Sequence, residues 1–183
     1  MTVPQIIDDR RQPGRLATTG TRWEAITDRV MGGLSDASLT EEVIATRPAL
    51  RLRGTVRLEN NGGFVQMALD LAPSGAAVDA RGWDGVALVV RGNCADYGLH
   101  LRTTDCLRPW QSYRHGFTAG PDWAAVLLPF AGFTPHRLEA PLNPARLRRL
   151  GLVAIGTAGQ ADMAVADLRF WRRAGDDAAN AAG

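Results

Sequence analysis

The chain has 183 residues, 45% hydrophobic and 22% charged, with a formal net charge of +2, the balance of one globular domain whose core needs no disulfide or metal staple. Its 21 basic side chains are all arginine, which excludes Schiff-base and P-loop lysine chemistry; a net charge this small, without aromatic-basic interleaving, argues against nucleic acid as a partner. Two cysteines, Cys94 and Cys106, are too few for a disulfide framework and fit a reducing compartment.

In chain order, no apolar run between Met1 and Arg15 is long enough for a signal peptide, and none later approaches a membrane span. The expectation is a cytoplasmic protein with no direct membrane insertion. Val3 to Ile7 reads as a short first strand, Arg10 to Gly20 as loop, and Trp23 to Ile26 as the start of the ordered body. Ser38 to Ile44 and Ala49 to Leu58 follow as strands. In the second, Leu50, Leu52, Val56 and Leu58 alternate with Arg51, Arg53 and Arg57, the period-two pattern of a half-buried antiparallel strand. Phe64 to Leu71 alternates again, putting Val65, Met67 and Leu69 on one side and Phe64, Gln66, Ala68 and Asp70 on the other. Val86 to Arg91 is apolar enough for a central strand. Tyr97 to Thr103 places His100 and Arg102 together, opposite Tyr97, Leu99 and Leu101. Trp123 to Phe130, Leu150 to Ile155 and Ala164 to Phe170 complete the strands, Pro144 to Leu150 suggests a helical turn, and 174–183 reads as a disordered tail behind a single domain over 1–173. Many short strands with frequent turns and no long helical period predict an all-β sandwich.

Two glycine-bearing turns punctuate this pattern: Asp28, Met31, Gly32, Gly33 and Ser35 in the first, and Asn61, Gly62 and Gly63 in the second. Glycine and asparagine are the residues that accept left-handed backbone, so a structural role is expected at all eight positions. Asp28 is expected to take hydrogen bonds from the backbone of its own turn. With Asp36 it offers fewer oxygen ligands than calcium takes, so no metal is assigned.

Catalysis finds little support. There is no G-x-S-x-G elbow or H-E-x-x-H pair, and Ser112 and His115, three apart on a strand, face opposite ways. The glycines of Gly151 to Gly159 lack dinucleotide spacing and the helix that should follow, so no cofactor is expected. A binding face is better supplied. Gln66, His100, Arg102, Trp110, Gln111, Tyr113 and Arg114 form the candidate patch, although Gln111 and Tyr113 belong to one strand register and Trp110 and Arg114 to the other, so both fit only with a bulge. The bland alternative is a solvated face with Arg102 paired to Asp105 or Glu59.

The order Trp23, Asp28-Arg29-Val30-Met31-Gly32-Gly33, Ser35, Gly54, Asn61-Gly62-Gly63-Phe64, Asp84-Gly85, Arg91-Gly92, Tyr97, Trp123, Leu128-Pro129-Phe130, Phe133, Gly151 and Gly156 resembles the complex I intermediate-associated protein 30 (CIA30) family. The resemblance runs from about Trp23 to Phe170. It implies a jelly-roll β-sandwich of the galactose-binding-like type with few short helical turns, and a non-catalytic, chaperone-like role. The implied partner is a protein, such as NADH:ubiquinone oxidoreductase (complex I) subunits or assembly intermediates, met at the periphery of the inner membrane by a compact bacterial-type member. The alternative is a carbohydrate or small-molecule binding module that uses the polar and aromatic strand face.

Overall fold

The computed structural model describes residues 3–174; apart from Ala174, the expected disordered tail lies outside them. Two antiparallel six-stranded sheets are built from twelve strands in chain order: β1 Ile6–Asp8, β2 Glu24–Thr27, β3 Asp36–Ile44, β4 Arg47–Val56, β5 Phe64–Asp70, β6 Gly85–Gly92, β7 Asp96–Thr103, β8 Ser112–Thr118, β9 Ala124–Pro129, β10 Thr134–His136, β11 Leu147–Ile155 and β12 Gly159–Trp171. The first sheet has the order β3-β4-β12-β6-β9, with β1 also pairing β12, and the second β10-β8-β7-β11-β5-β2. Every helical segment among the described residues is a 3-10 turn of three or four residues, and none is long and apolar enough to cross a membrane.

The strands form where apolar residues recur at every second position, and those residues make the core. Leu50 and Leu52 from β4, Val65, Met67 and Leu69 from β5, Val86, Leu88 and Val90 from β6, and Leu99 and Leu101 from β7 are all at most 1% exposed. Removing that much apolar side chain from water is the main stabilising term in a sandwich of this size. Trp23 is buried with them. Its indole donates to the Asp8 carboxylate at 2.7 Å, which also pairs with the buried Arg10 guanidinium at 2.7 Å, so the N-terminal loop is tied to the core by a polar network that lies across Asp8, Arg10 and Trp23.

Two differences from the sequence reading matter for function. The helical turn at Pro144 stops at Arg146, and Leu147 to Leu150 already belongs to β11. Strand β10 was not foreseen: it is three residues long with Pro135 at its centre, and proline survives there because β10 is an edge strand. As the sequence pattern expects, no helix follows Gly151: it lies on β11, Gly156 on the link and Gly159 at the start of β12, where the chain crosses between sheets.

Candidate functional site

The two glycine turns are one structure at one end of the sandwich, joined by Asp28. Its side chain is fully buried. One carboxylate oxygen accepts the Ser35 N–H at 2.9 Å; the other accepts the Ser35 hydroxyl and the N–H groups of Gly63 and Phe64. Asp28 therefore bonds within its own turn, as expected, and also across to the second turn, 35 residues away. Burial works to raise its pKa, but the hydrogen bonds from Ser35, Gly63 and Phe64 outweigh it and hold the group below the ordinary carboxylate value. Two of the glycines are explained by this side chain. A Cβ on Gly33 would lie 2.3 Å from the Asp28 Cγ, and one on Gly62 would lie 2.6 Å from its Oδ2. Gly32 and Gly63 have φ of +87° and +127°, and Asn61 of +55°, so the turns use the left-handed backbone that their residue types allow. Met31 ends the 3-10 turn and is 60% exposed. The Asn60 amide donates to the Gly32 carbonyl at 3.2 Å and closes the pair. Asp36, the other carboxylate considered for calcium, accepts the Thr55 N–H at 3.0 Å.

With so many polar groups satisfied below, the turns turn apolar side chains outward. Val30 is 74% exposed, Met31 60% and Leu34 41%; from the second turn and its neighbour strand come Leu58 at 47% and Ile155 at 43%. No sequence pattern marks Val30 and Leu34 as exposed, because they sit in a turn beside glycines and not in an alternating strand.

The candidate binding face is the outer side of the second sheet. The register settles which residues share it. His100 on β7 pairs with Arg114 on β8, Arg114 with Thr134 on β10, and Gly151 on β11 with both His100 and Ala68. Gln66, His100, Arg102 and Arg114 therefore share that face, as the second of the two β8 registers requires. Tyr113 does not belong with them: it pairs with Leu101, is wholly buried, and its hydroxyl donates to the Ala140 carbonyl at 3.0 Å. An apolar ring with a satisfiable hydroxyl is as good a core residue as a ligand platform, and the register made it the former. Gln111 precedes β8 and works as a brace, accepting the Arg108 N–H at 2.9 Å and donating to the Arg137 carbonyl at 3.0 Å. Trp110 lies beside it in the same connection, 55% exposed. Ser112 and His136, which the sequence patch omitted, join the face through the pairing of β10 with β8.

The centre of this face is floored by small residues. Ala68, Gly151 and Val153 point away from the core and are nonetheless buried. A Cβ on Gly151 would fall 2.6 Å from the Gln66 Oε1, and one on Gly98 would fall 3.1 Å from the His100 Nε2, so both side chains lie flat over glycine positions. Among the described residues, neither Gln66 nor His100 makes a side-chain hydrogen bond to the protein. Burial, the Arg114 charge and His136 push the His100 pKa down to about 3, leaving the ring neutral at physiological pH. Burial and the charge of Arg137 lower Arg114, and burial with Arg114 and Arg137 lowers His136. Arg102 is paired with neither Asp105, which holds Arg146 at 3.0 Å, nor Glu59, which holds Arg57 at 2.7 Å. It donates to the Arg108 carbonyl at 3.0 Å, and its Nε is buried without a partner.

Two packed antiparallel sheets of this kind make a jelly-roll β-sandwich. Solved structures bear this out for the fold. The family 11 carbohydrate-binding module of the cellulosomal cellulase Lic26A-Cel5E of Clostridium thermocellum matches with a TM-score of 0.70 at 11% identity, over 94% of this chain and 97% of that one. A second structure of a Clostridium thermocellum family 11 module, in complex with a β-1,3-1,4-mixed-linked tetrasaccharide, gives 0.68 at 11% identity with the same shares. The family 30 module of the Clostridium thermocellum cellulase Cel9D-Cel44B gives 0.57 at 14%, over 95% and 96%. No curated protein matches the sequence. Residues 14–165 match complex I intermediate-associated protein 30 (CIA30), and the chain belongs to that family.

Proposed function

We propose that the chain is a non-catalytic binding domain that captures an incompletely assembled protein, with complex I subunits as the partner class that the family's name indicates. The observation that carries this reading is the rim of Val30, Met31 and Leu34 held outward on turns clamped by Asp28. Large apolar side chains exposed on a rigid frame bind partners with little ordering cost, and the described fold makes no other use of them. Among the described residues no cluster of His, Cys, Asp or Glu is placed to hold a metal ion, and the reading requires none. The test is tagged capture from gently solubilised cells followed by mass spectrometry. Enrichment of complex I subunits by the native chain, lost in a folded Val30→Ser, Met31→Ser variant, supports the reading; recovery of no respiratory subunits overturns it.

A second reading, saccharide binding, is favoured by one specific observation. The Gln66 amide and His100 ring lie without protein partners over glycines of an outer sheet face, and hydrogen-bonding groups left open on such a face are suited to fixing sugar hydroxyls.

A further inference from the structure

On that same face the charges are divided. Toward β2 and β5 the cation Arg149 is held by Asp70 at 2.7 Å and Glu24 at 2.9 Å. Toward β7, β8 and β10, Arg102, Arg114 and Arg137 have no ion pair among the described residues. Asp105 is taken by Arg146. Glu139, two residues beyond Arg137, is exposed and forms no salt bridge with these arginines. Burial and the charge of Arg137 lower the affinity of Arg114 for a proton, and no acid among the described residues pairs with either arginine, so an anion supplied from outside would be drawn to this end of the face.

The geometry narrows the anion. Arg114 is fixed through its Nε, which donates to the buried Ser112 hydroxyl at 3.1 Å, and neither terminal nitrogen donates to the protein. That leaves a free planar fork, which matches the two oxygens of a carboxylate. A phosphate would find the one fork but no nest of backbone N–H groups and no helix N-terminus around it. Beside the fork, across the Gly151 floor, stand the neutral His100 ring and the Gln66 amide, which donate to and accept from hydroxyls.

We propose that this face binds a carboxylate carried on a hydroxylated ring, the uronic acid class of saccharide, with the acid on Arg114 and the hydroxyls on His100 and Gln66. The proposal rests on the saccharide reading above and adds to it the charge of the ligand. Arg102 and Arg137 supply the surrounding positive field.

Calorimetric titration with three probes tests it: trigalacturonic acid, its methyl ester, and a β-1,3-1,4-mixed-linked glucan tetrasaccharide. The acid is expected to bind at least about tenfold more tightly than its ester, as a charge-assisted pair should, and to weaken with added salt. Arg114→Gln should bring the acid down to the level of the ester while keeping the native melting temperature. Arg146→Gln, which alters an arginine already paired with Asp105, should leave acid binding unchanged. Equal affinity for acid and ester, or binding of the glucan alone, overturns the charge assignment and leaves the saccharide reading standing. Binding of none of the three by the folded protein overturns both.

Discussion

Asp28 under the glycine turns is fully buried and the His100–Arg114 pair on the second sheet is partly buried, and the protein treats the two in opposite ways. Asp28 receives four hydrogen bonds from Ser35, Gly63 and Phe64. His100 receives none from the described protein, and Arg114 uses one of its three nitrogens. Withdrawing a polar group costs free energy that a hydrogen bond must offset, so the first centre stabilises the fold while the second is left open to something from outside. The outer face of the first sheet supports the contrast. There Arg51 makes a two-pronged pair with Asp162 at 2.7 Å and also reaches Glu42, which holds Arg53 at 2.8 Å. Arg51 and Arg53 on one outer face are closed by carboxylates; among the described residues, Arg102 and Arg114 at one end of the other are not.

The largest effect is expected at the closed centre. Asp28→Ala strands the N–H groups of Ser35, Gly63 and Phe64 and should cost about 3 kcal/mol or more in urea unfolding. Gly33→Ala drives a methyl into the same carboxylate and should cost about 1 to 3 kcal/mol. A loss at Asp28 no larger than that of an ordinary surface substitution would end the claim that this carboxylate holds the two turns together.

The next effect is one of pH and belongs to the open centre. The His100 pKa in the fold is about 3 against roughly 6.5 for a free imidazole. The unfolded chain therefore takes up a proton that the folded one refuses, so His100 contributes stability that is complete above pH ~6.5 and is lost as pH falls toward 3. The slope is at most about 1.4 kcal/mol per pH unit. His100→Gln should flatten the stability profile between roughly pH 6 and 4, a window above the range in which Asp28, whose pKa is lowered, begins to protonate. An unchanged slope would mean that the ring is open enough to water to protonate in place.

How far these centres could be read in advance follows from the range of the forces that build them. Alternation is local, so Gln66 and the pair His100 and Arg102 were placed on an outer face from sequence. Strand β8 defeated the same logic, because Trp110, Ser112 and Arg114 are as polar a set as Gln111, Tyr113 and His115; only the pairing of Arg114 with His100 chose between them. The turns were legible as turns from glycine and asparagine. The reach of Asp28 to Gly63 was not, since no local pattern marks a bond across 35 residues. His136 was hidden by the proline beside it, which argues against a strand until an edge is known to accept it.

The smallest expected effect is the sharpest test of the contrast, because it differs in sign. Arg51 is partly exposed, and Arg51→Gln removes the two-pronged partner of Asp162, which Arg53 reaches only at 3.9 Å, and one partner of Glu42, so thermal or urea unfolding should show a loss of about 1 kcal/mol. Arg114→Gln breaks no ion pair, removes a charge that burial and Arg137 both oppose, and should leave stability within about 0.5 kcal/mol or raise it. A protein that becomes no less stable when a half-buried arginine is neutralised was not using that arginine to fold. If Arg114→Gln instead destabilises as much as Arg51→Gln, the guanidinium is a structural member of the sheet, and the two outer faces differ only in how their charges are spaced.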